Sequence, residues 1–199
     1  VNSLARKKEN NRIIEVVTNF GKLLRYTIDK EERPVRLRDE LLFMDAYLNI
    51  QSYRIGKQLV IDYAIDATYE DCLVPKMIVQ PFIENIIEHA NVREILIIRI
   101  SAAIESDHLV VSIEDNGAGI SADRRAEIMR NINPHTRNLP VRAEGDRFGQ
   151  LRKGYALYNV NQRLKLLYGD EYGVEIDSEK TDGAGFRIKL PFVWGNGDV

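Results

Sequence analysis

The segment Gln80-Pro81-Phe82-Ile83-Glu84-Asn85-Ile86-Ile87-Glu88-His89 limits what this chain can fold into more than any other stretch. Val79, Phe82, Ile83, Ile86 and Ile87 recur at helical spacing and form one apolar arc, while Gln80, Glu84, Asn85, Glu88 and His89 occupy the other. Such a helix must lie on a core and offer polar ligands beside it. A second constraint is the strand pattern Leu109-Val110-Val111-Ser112-Ile113-Glu114-Asp115, which ends in Asn116-Gly117-Ala118-Gly119. The period of two puts Asp115 on the same face as Leu109, Val111 and Ile113. A carboxylate aimed at a core demands a partner.

Adenine is one such partner, because its exocyclic amino group donates a hydrogen bond and its rings lie well against apolar side chains. Guanine presents a carbonyl there. An ionised acceptor at Asp115 therefore selects adenine, and Gly117 and Gly119 permit positive φ and close backbone approach to the base. Asn85 suits another task, since its neutral carbonyl matches Mg²⁺, a hard ion that keeps some water while bridging phosphates. An Asp-Asn-Gly turn alone is most often a hairpin, and a lone helical Asn is most often solvated or locally bonded. The order and spacing of the two boxes favour an ATP site.

At 199 residues the chain can bury a sizeable core, and a net charge of −2 gives no general attraction to nucleic acid or anionic membrane. Cys72 is the single cysteine, which excludes an internal disulfide framework and makes a small buried filler the expected role. No apolar run is long enough to span a bilayer, and no signal-peptide pattern opens the chain, so this fragment is expected to be cytoplasmic and without membrane contact. Residues 1 to 56 read as an antiparallel helix pair. Ile13, Val17, Phe20 and Leu24 mark the first helix, Leu37, Leu41, Met44 and Leu48 the second, and the charged turn Asp29 to Pro34 separates them.

From residue 57 the pattern becomes mixed α/β. Strands are predicted near Leu59 to Ile65, Ile95 to Ile104, Leu109 to Asp115, Val174 to Ser178 and Gly185 to Pro191; helices are predicted over Pro75 to Ala90, Ser121 to Asn131 and Gly154 to Tyr168. This alternation favours a two-layer α/β sandwich with a mixed sheet. Pro81 would sit inside its helix and kink it.

These boxes, with Leu24-Arg25-Tyr26-Thr27-Ile28, Tyr47-Leu48-Asn49-Ile50-Gln51 and the run Asn159 to Gly169, resemble the ATPase domain of LytS-type sensor histidine kinases of the GHKL superfamily. The resemblance covers nearly the whole chain. It implies the Bergerat (GHKL) fold over 57–199, preceded by part of a dimerisation stem over 1–56. It assigns Mg²⁺ to Asn85 and adenine to Asp115. Independently of it, His89 follows Asn85 by one helical turn and could touch phosphate, water or a lid residue, with a structural hydrogen bond near the core edge as the equal alternative; Glu84, adjacent to Asn85, is a weaker base candidate. The resemblance also implies a homodimer formed through the stem, a response regulator as partner, and a parent protein anchored in the membrane. The phosphoacceptor box would immediately precede Val1-Asn2-Ser3-Leu4, so the acceptor histidine is expected upstream of this chain.

The stretch 121–153 is the expected nucleotide lid, with eight basic residues against four acidic ones. Arg142, Arg147, Arg152 or Lys153 could reach the phosphates. Ile132-Asn133-Pro134-His135 inside it imitates an acceptor box, but a loop after the adenine box is the wrong place for one. Several positions depart from the family. Lys153-Gly154-Tyr155-Ala156-Leu157 stands where the family has a Gly-x-Gly-Leu turn opening the helix under the phosphates, and the Cβ of Ala156 would crowd that approach. Phe186 is expected to replace a hydroxyl near the base, and Glu88 stands where relatives often have lysine. The alternative function is thus a degenerate nucleotide-sensing or scaffold module without phosphoryl transfer. A chaperone-like or mismatch-repair-like ATPase fits less well, because the helix pair precedes the ATPase region.

Overall fold

The computed structural model describes residues 10–28, 33–55, 58–89, 95–133, 151–177, 180 and 182–195. The helix pair is α1 (Asn10–Ile28) and α2 (Leu37–Ile55), with the short strand β1 (Val35–Arg36) between them. There follow β2 (Gln58–Ile65), β3 (Leu73–Val74), α3 (Gln80–His89), β4 (Ile95–Glu105) and β5 (His108–Asp115). The chain continues through α4 (Ala122–Ile132), α5 (Leu151–Tyr168), β6 (Gly173–Ile176) and β7 (Gly185–Pro191).

The main sheet has the order β2-β4-β5-β7-β6. Its β2 and β4 run parallel and its other neighbours antiparallel, which makes the sheet mixed, as the alternation predicts. Burial alternates along β4: Leu96, Ile98, Ile100 and Ala102 point into the core, whereas Ile95, Ile97 and Arg99 are exposed. One face of the sheet is therefore covered by helices, giving two layers. Phe82 of α3 meets Phe186 of β7 across that interface, with ring centroids 5.4 Å apart, and both are fully buried.

The division expected after residue 56 does not divide the core. Leu37, Leu41, Met44 and Leu48 of α2 are buried and belong to the same apolar cluster as the sheet and α3. The α1 stripe behaves differently: Val17, Phe20 and Leu24, together with Ile14 and Ile28, are exposed, and Leu23 and Tyr26 face the core instead. Helical spacing identifies a stripe but not the side of the helix that has a neighbour within the same chain. Cys72 is buried, as expected of a filler.

Two helix starts differ from the prediction. α3 begins at Gln80 and not at Pro75, so Pro81 lies in the first turn, where its missing N–H has no helical acceptor to lose and no kink is needed. α5 begins at Leu151, ahead of the expected Gly154, because nothing in Leu-Arg-Lys stops a helix and one glycine inside it is tolerated.

Asn161 of α5 ties three elements together. Its Nδ2 donates to the Ile132 carbonyl at 2.9 Å and to Asn133 Oδ1 at 3.0 Å, and its Oδ1 accepts from the Val174 N–H at 2.9 Å. The side chain is buried, so water cannot replace it. Asn161→Ala leaves the Val174 N–H and the Ile132 carbonyl unpaired, and we expect a loss of about 2–4 kcal/mol in folding stability by urea titration.

Candidate functional site

The glycine turn after β5 is fixed by backbone contacts. Asp115 donates its N–H to the Ala184 carbonyl at 2.9 Å, while Asn116 extends the ladder beyond the strand. Asn116 Oδ1 accepts from the Ile97 N–H at 2.9 Å, and its Nδ2 donates to the Ile95 carbonyl at 3.1 Å. Asn116 thus holds the start of β4 while Asp115 faces inward. Gly119 has φ of 78°, and a Cβ there would come within 3.1 Å of the Gly183 carbonyl oxygen. Gly183, at φ of 92°, is tighter still, with a Cβ falling 1.8 Å from the Asp115 carbonyl oxygen.

Asp115 is buried at 6% exposure, and its Oδ1 accepts from the Gly117 N–H at 2.6 Å. Burial pushes its carboxyl above the usual aspartate range; hydrogen bonding by the Gly117 and Ala184 backbone and the charge of Lys180 oppose that rise.

A cavity of about 650 Å³ opens beside it, within the usual range for small-molecule sites. Asn85, Ile86 and His89 of α3 form one wall, and Asp115 with Ala118 to Ser121 another. Arg124, Arg125 and Ile128 of α4 close a third side, with Lys180 and Ala184 at the fourth. Asn85, His89, Asp115 and Gly119 are therefore brought together as the sequence predicts, and Gly117 adjoins them through its bond to Asp115. Among the described residues no three His, Cys, Asp or Glu side chains gather as a metal site. The side-chain carbonyl of Asn85 is an oxygen donor of the kind a Mg²⁺ ion accepts, and it would be the residue to hold one here.

Other predicted residues lie elsewhere. Glu84 is exposed, does not line the cavity, and accepts from Gln80 Nε2 at 2.8 Å. Leu157 is buried in the core, and with α5 starting at Leu151 neither Gly154 nor Ala156 forms the expected helix-opening turn. Their amides, together with that of Leu157, lie three or more residues inside the helix. The side chains of Arg152 and Lys153 lie outside the described residues, as do Arg137, Arg142, Arg147 and the decoy His135. Phe186 is a core residue packed against Phe82, and Ala184, just ahead of β7, is the residue of this segment on the cavity wall.

Sequence reasoning missed Arg124 and Arg125 as wall residues. The available signal was Ser121, which caps α4 by accepting from the Arg124 N–H at 3.3 Å and so turns the first helical turn toward the glycine box. Arg124 also pairs with Glu127 at 2.7 Å.

Gly183→Ala places a methyl group against the Asp115 backbone in a left-handed conformation, and neither strand can yield without breaking the sheet. We expect at least about 2 kcal/mol of destabilisation, read as a lowered thermal midpoint.

Residues 71–193 match the family described as histidine kinase-, DNA gyrase B- and HSP90-like ATPase, and residues 1–59 match the histidine kinase family. The chain is 29% identical over 193 residues to sensor histidine kinase YesM of Bacillus subtilis, covering 96% of this chain and 30% of that protein. It is 27% identical over 184 residues to sensor protein kinase HptS of Staphylococcus aureus, covering 92% of this chain and 33% of the relative. The chain thus spans about a third of the length of these curated relatives. Among solved structures, full-length ShkA in complex with AMPPNP aligns with a TM-score of 0.54 at 19% identity, covering 97% of this chain and 39% of that one. The catalytic domain of histidine kinase ThkA aligns with a TM-score of 0.52 at 11% identity, covering 80% and 96% respectively. Both structural likenesses bear on the fold.

Proposed function

From the premise that the chain belongs to the histidine kinase-, DNA gyrase B- and HSP90-like ATPase family, we propose that it is the catalytic region of a LytS-type sensor histidine kinase. In this reading it binds Mg²⁺·ATP, and in the longer protein the γ-phosphoryl passes to an upstream histidine, releasing ADP, and then to a response regulator. The observation that carries the reading is the shared cavity of buried Asp115 with Asn85 and His89. Asp115 would accept from the adenine amino group, and the Asn85 carbonyl would hold the metal. His89, one helical turn after Asn85 on the same wall, would face the phosphates, and Arg124 and Arg125 would offset phosphate charge.

The exposed α1 stripe of Ile14, Val17, Phe20, Leu24 and Ile28 supports dimerisation through the stem, since a continuous apolar helix face is costly to leave in water. No helix among the described residues is long and apolar enough to cross a membrane, so membrane anchoring would belong to other parts of the longer protein. A second reading, a nucleotide-sensing module without transfer, is favoured by one observation: α5 runs through Gly154 and Ala156, leaving their amides inside the helix.

Calorimetric titration tests the site. Asp115→Asn should weaken ATP binding by about 1–3 kcal/mol, because an amide replaces the carboxylate acceptor. Asn85→Ala should abolish the affinity that Mg²⁺ adds while leaving the weaker metal-free binding through Asp115. Unchanged affinity in the first variant, or an unchanged Mg²⁺ effect in the second, rejects that residue's role.

Labelling with γ-phosphate-labelled ATP separates the two functions. The chain as given should acquire no acid-labile phosphohistidine, whereas a version extended upstream through the acceptor box should become labelled. An extended protein that stays unlabelled with its nucleotide site occupied makes the sensing module the better reading.

A further inference from the structure

Glu40 of α2 is completely buried, yet its carboxylate is surrounded by donors. Oε1 accepts from the Met77 N–H at 2.5 Å, and Oε2 from the N–H groups of Ile78 and Val79 at 3.0 and 3.4 Å. The hydroxyl of Tyr26, on α1, donates to Oε1 as well. These three amides lie immediately ahead of α3, which starts at Gln80. Met77 has φ of 58°, a left-handed conformation uncommon for a residue with a side chain, and successive N–H groups around such a residue point to one place and form an anion-binding nest. The occupant of the nest comes from another helix of the same chain.

Tyr26 is held in turn. Its ring stacks on Phe43 with centroids 4.5 Å apart, and Lys76 Nζ lies 4.7 Å from its centroid, next in sequence to the first amide of the nest. A continuous set of contacts thus runs from α1 through Tyr26 and Glu40 to the start of α3, and α3 carries Asn85 and His89 into the cavity.

We propose that Glu40 is a positioning residue for the nucleotide site: it fixes the start of α3, hence Asn85, relative to both stem helices. Asp115 stands on β5, outside this set of contacts, so Glu40 governs the metal side of the site and not the base side. The inference rests on the reading that Asn85 holds Mg²⁺. Glu40→Gln keeps the shape but turns an amide NH₂ toward N–H donors, which forces the nest apart. Tyr26→Phe keeps the carboxylate, its three amides and the ring contacts, and removes only the hydroxyl bond from α1 to Glu40.

The test titrates this chain with ATP, with and without Mg²⁺, in the parent, Glu40→Gln, Tyr26→Phe and Asn85→Ala. The Mg²⁺-dependent gain in affinity should fall by about tenfold in Glu40→Gln, as expected of a sub-ångström misplacement, while metal-free affinity stays within about twofold. In Tyr26→Phe the gain should fall by about threefold. A purely structural role would lower metal-free and metal-dependent affinity by the same factor, and that result overturns the proposal. So does an intact Mg²⁺ gain in Glu40→Gln alongside a lost gain in Asn85→Ala, which leaves the metal assignment standing. An intact gain in Asn85→Ala instead rejects the metal assignment itself. Where Glu40→Gln does not fold, Tyr26→Phe decides, and an unchanged gain in it overturns the proposal.

Discussion

A strand cannot turn one side chain away from the face its alternate neighbours occupy, and this constraint at the end of β5 governs the cavity. Leu109, Val111 and Ile113 are fully buried, so the next residue in phase, Asp115, enters the same apolar layer. A charge there is tolerable only with donors close by, and the backbone supplies them through the turn at Gly117. That turn in turn requires the chain before β7 to pass without a side chain, which is the role of Gly183. One carboxylate in the wrong layer for an ordinary core thus sets the local path of two loops. It also puts that carboxylate on the wall of a cavity.

Much of this was legible in the sequence, because strand and helix periods act on residues in contact with their own neighbours. Leu37, Leu41, Met44 and Leu48 were readable as a buried face, and so was the inward direction of Asp115. Long-range contacts were not readable. Whether the α1 stripe faces the core depends on which side another element occupies, and no local spacing encodes that. Pro81 looked like an interior helix breaker only because the start of α3 was placed too early; the helix in fact begins where the amides of residues 77–79 find Glu40, about forty residues upstream. Phe186 belongs with these long-range contacts: its place in the core follows from packing against Phe82 of α3, far away in the sequence.

Packing divides the helix pair itself. α2 supplies the core with Leu37, Leu41, Phe43, Met44 and Leu48 and the α3 nest with a buried carboxylate, while α1 touches the core mainly through Leu23 and Tyr26. The second helix is therefore structurally part of the sandwich. The first is attached to it along one side and presents its apolar stripe to the other, so a change in what α1 contacts reaches the sandwich through few side chains.

Among the described residues, the order of the main sheet leaves β2 and β6 without a neighbour on their outer sides. β6 is four residues long, too short to template much of another chain. β2 is eight residues long, and beside it the uncovered face carries the exposed apolar residues Val60, Ile95 and Ile97. Asp62 sits in the middle of that edge, paired at 2.7 Å with Arg99 of the adjacent strand. An exposed ion pair of this kind adds little to folding. Its effect is on solubility: two opposite charges interrupt an otherwise greasy margin, and a second sheet attempting to add at that margin would have to strip water from both.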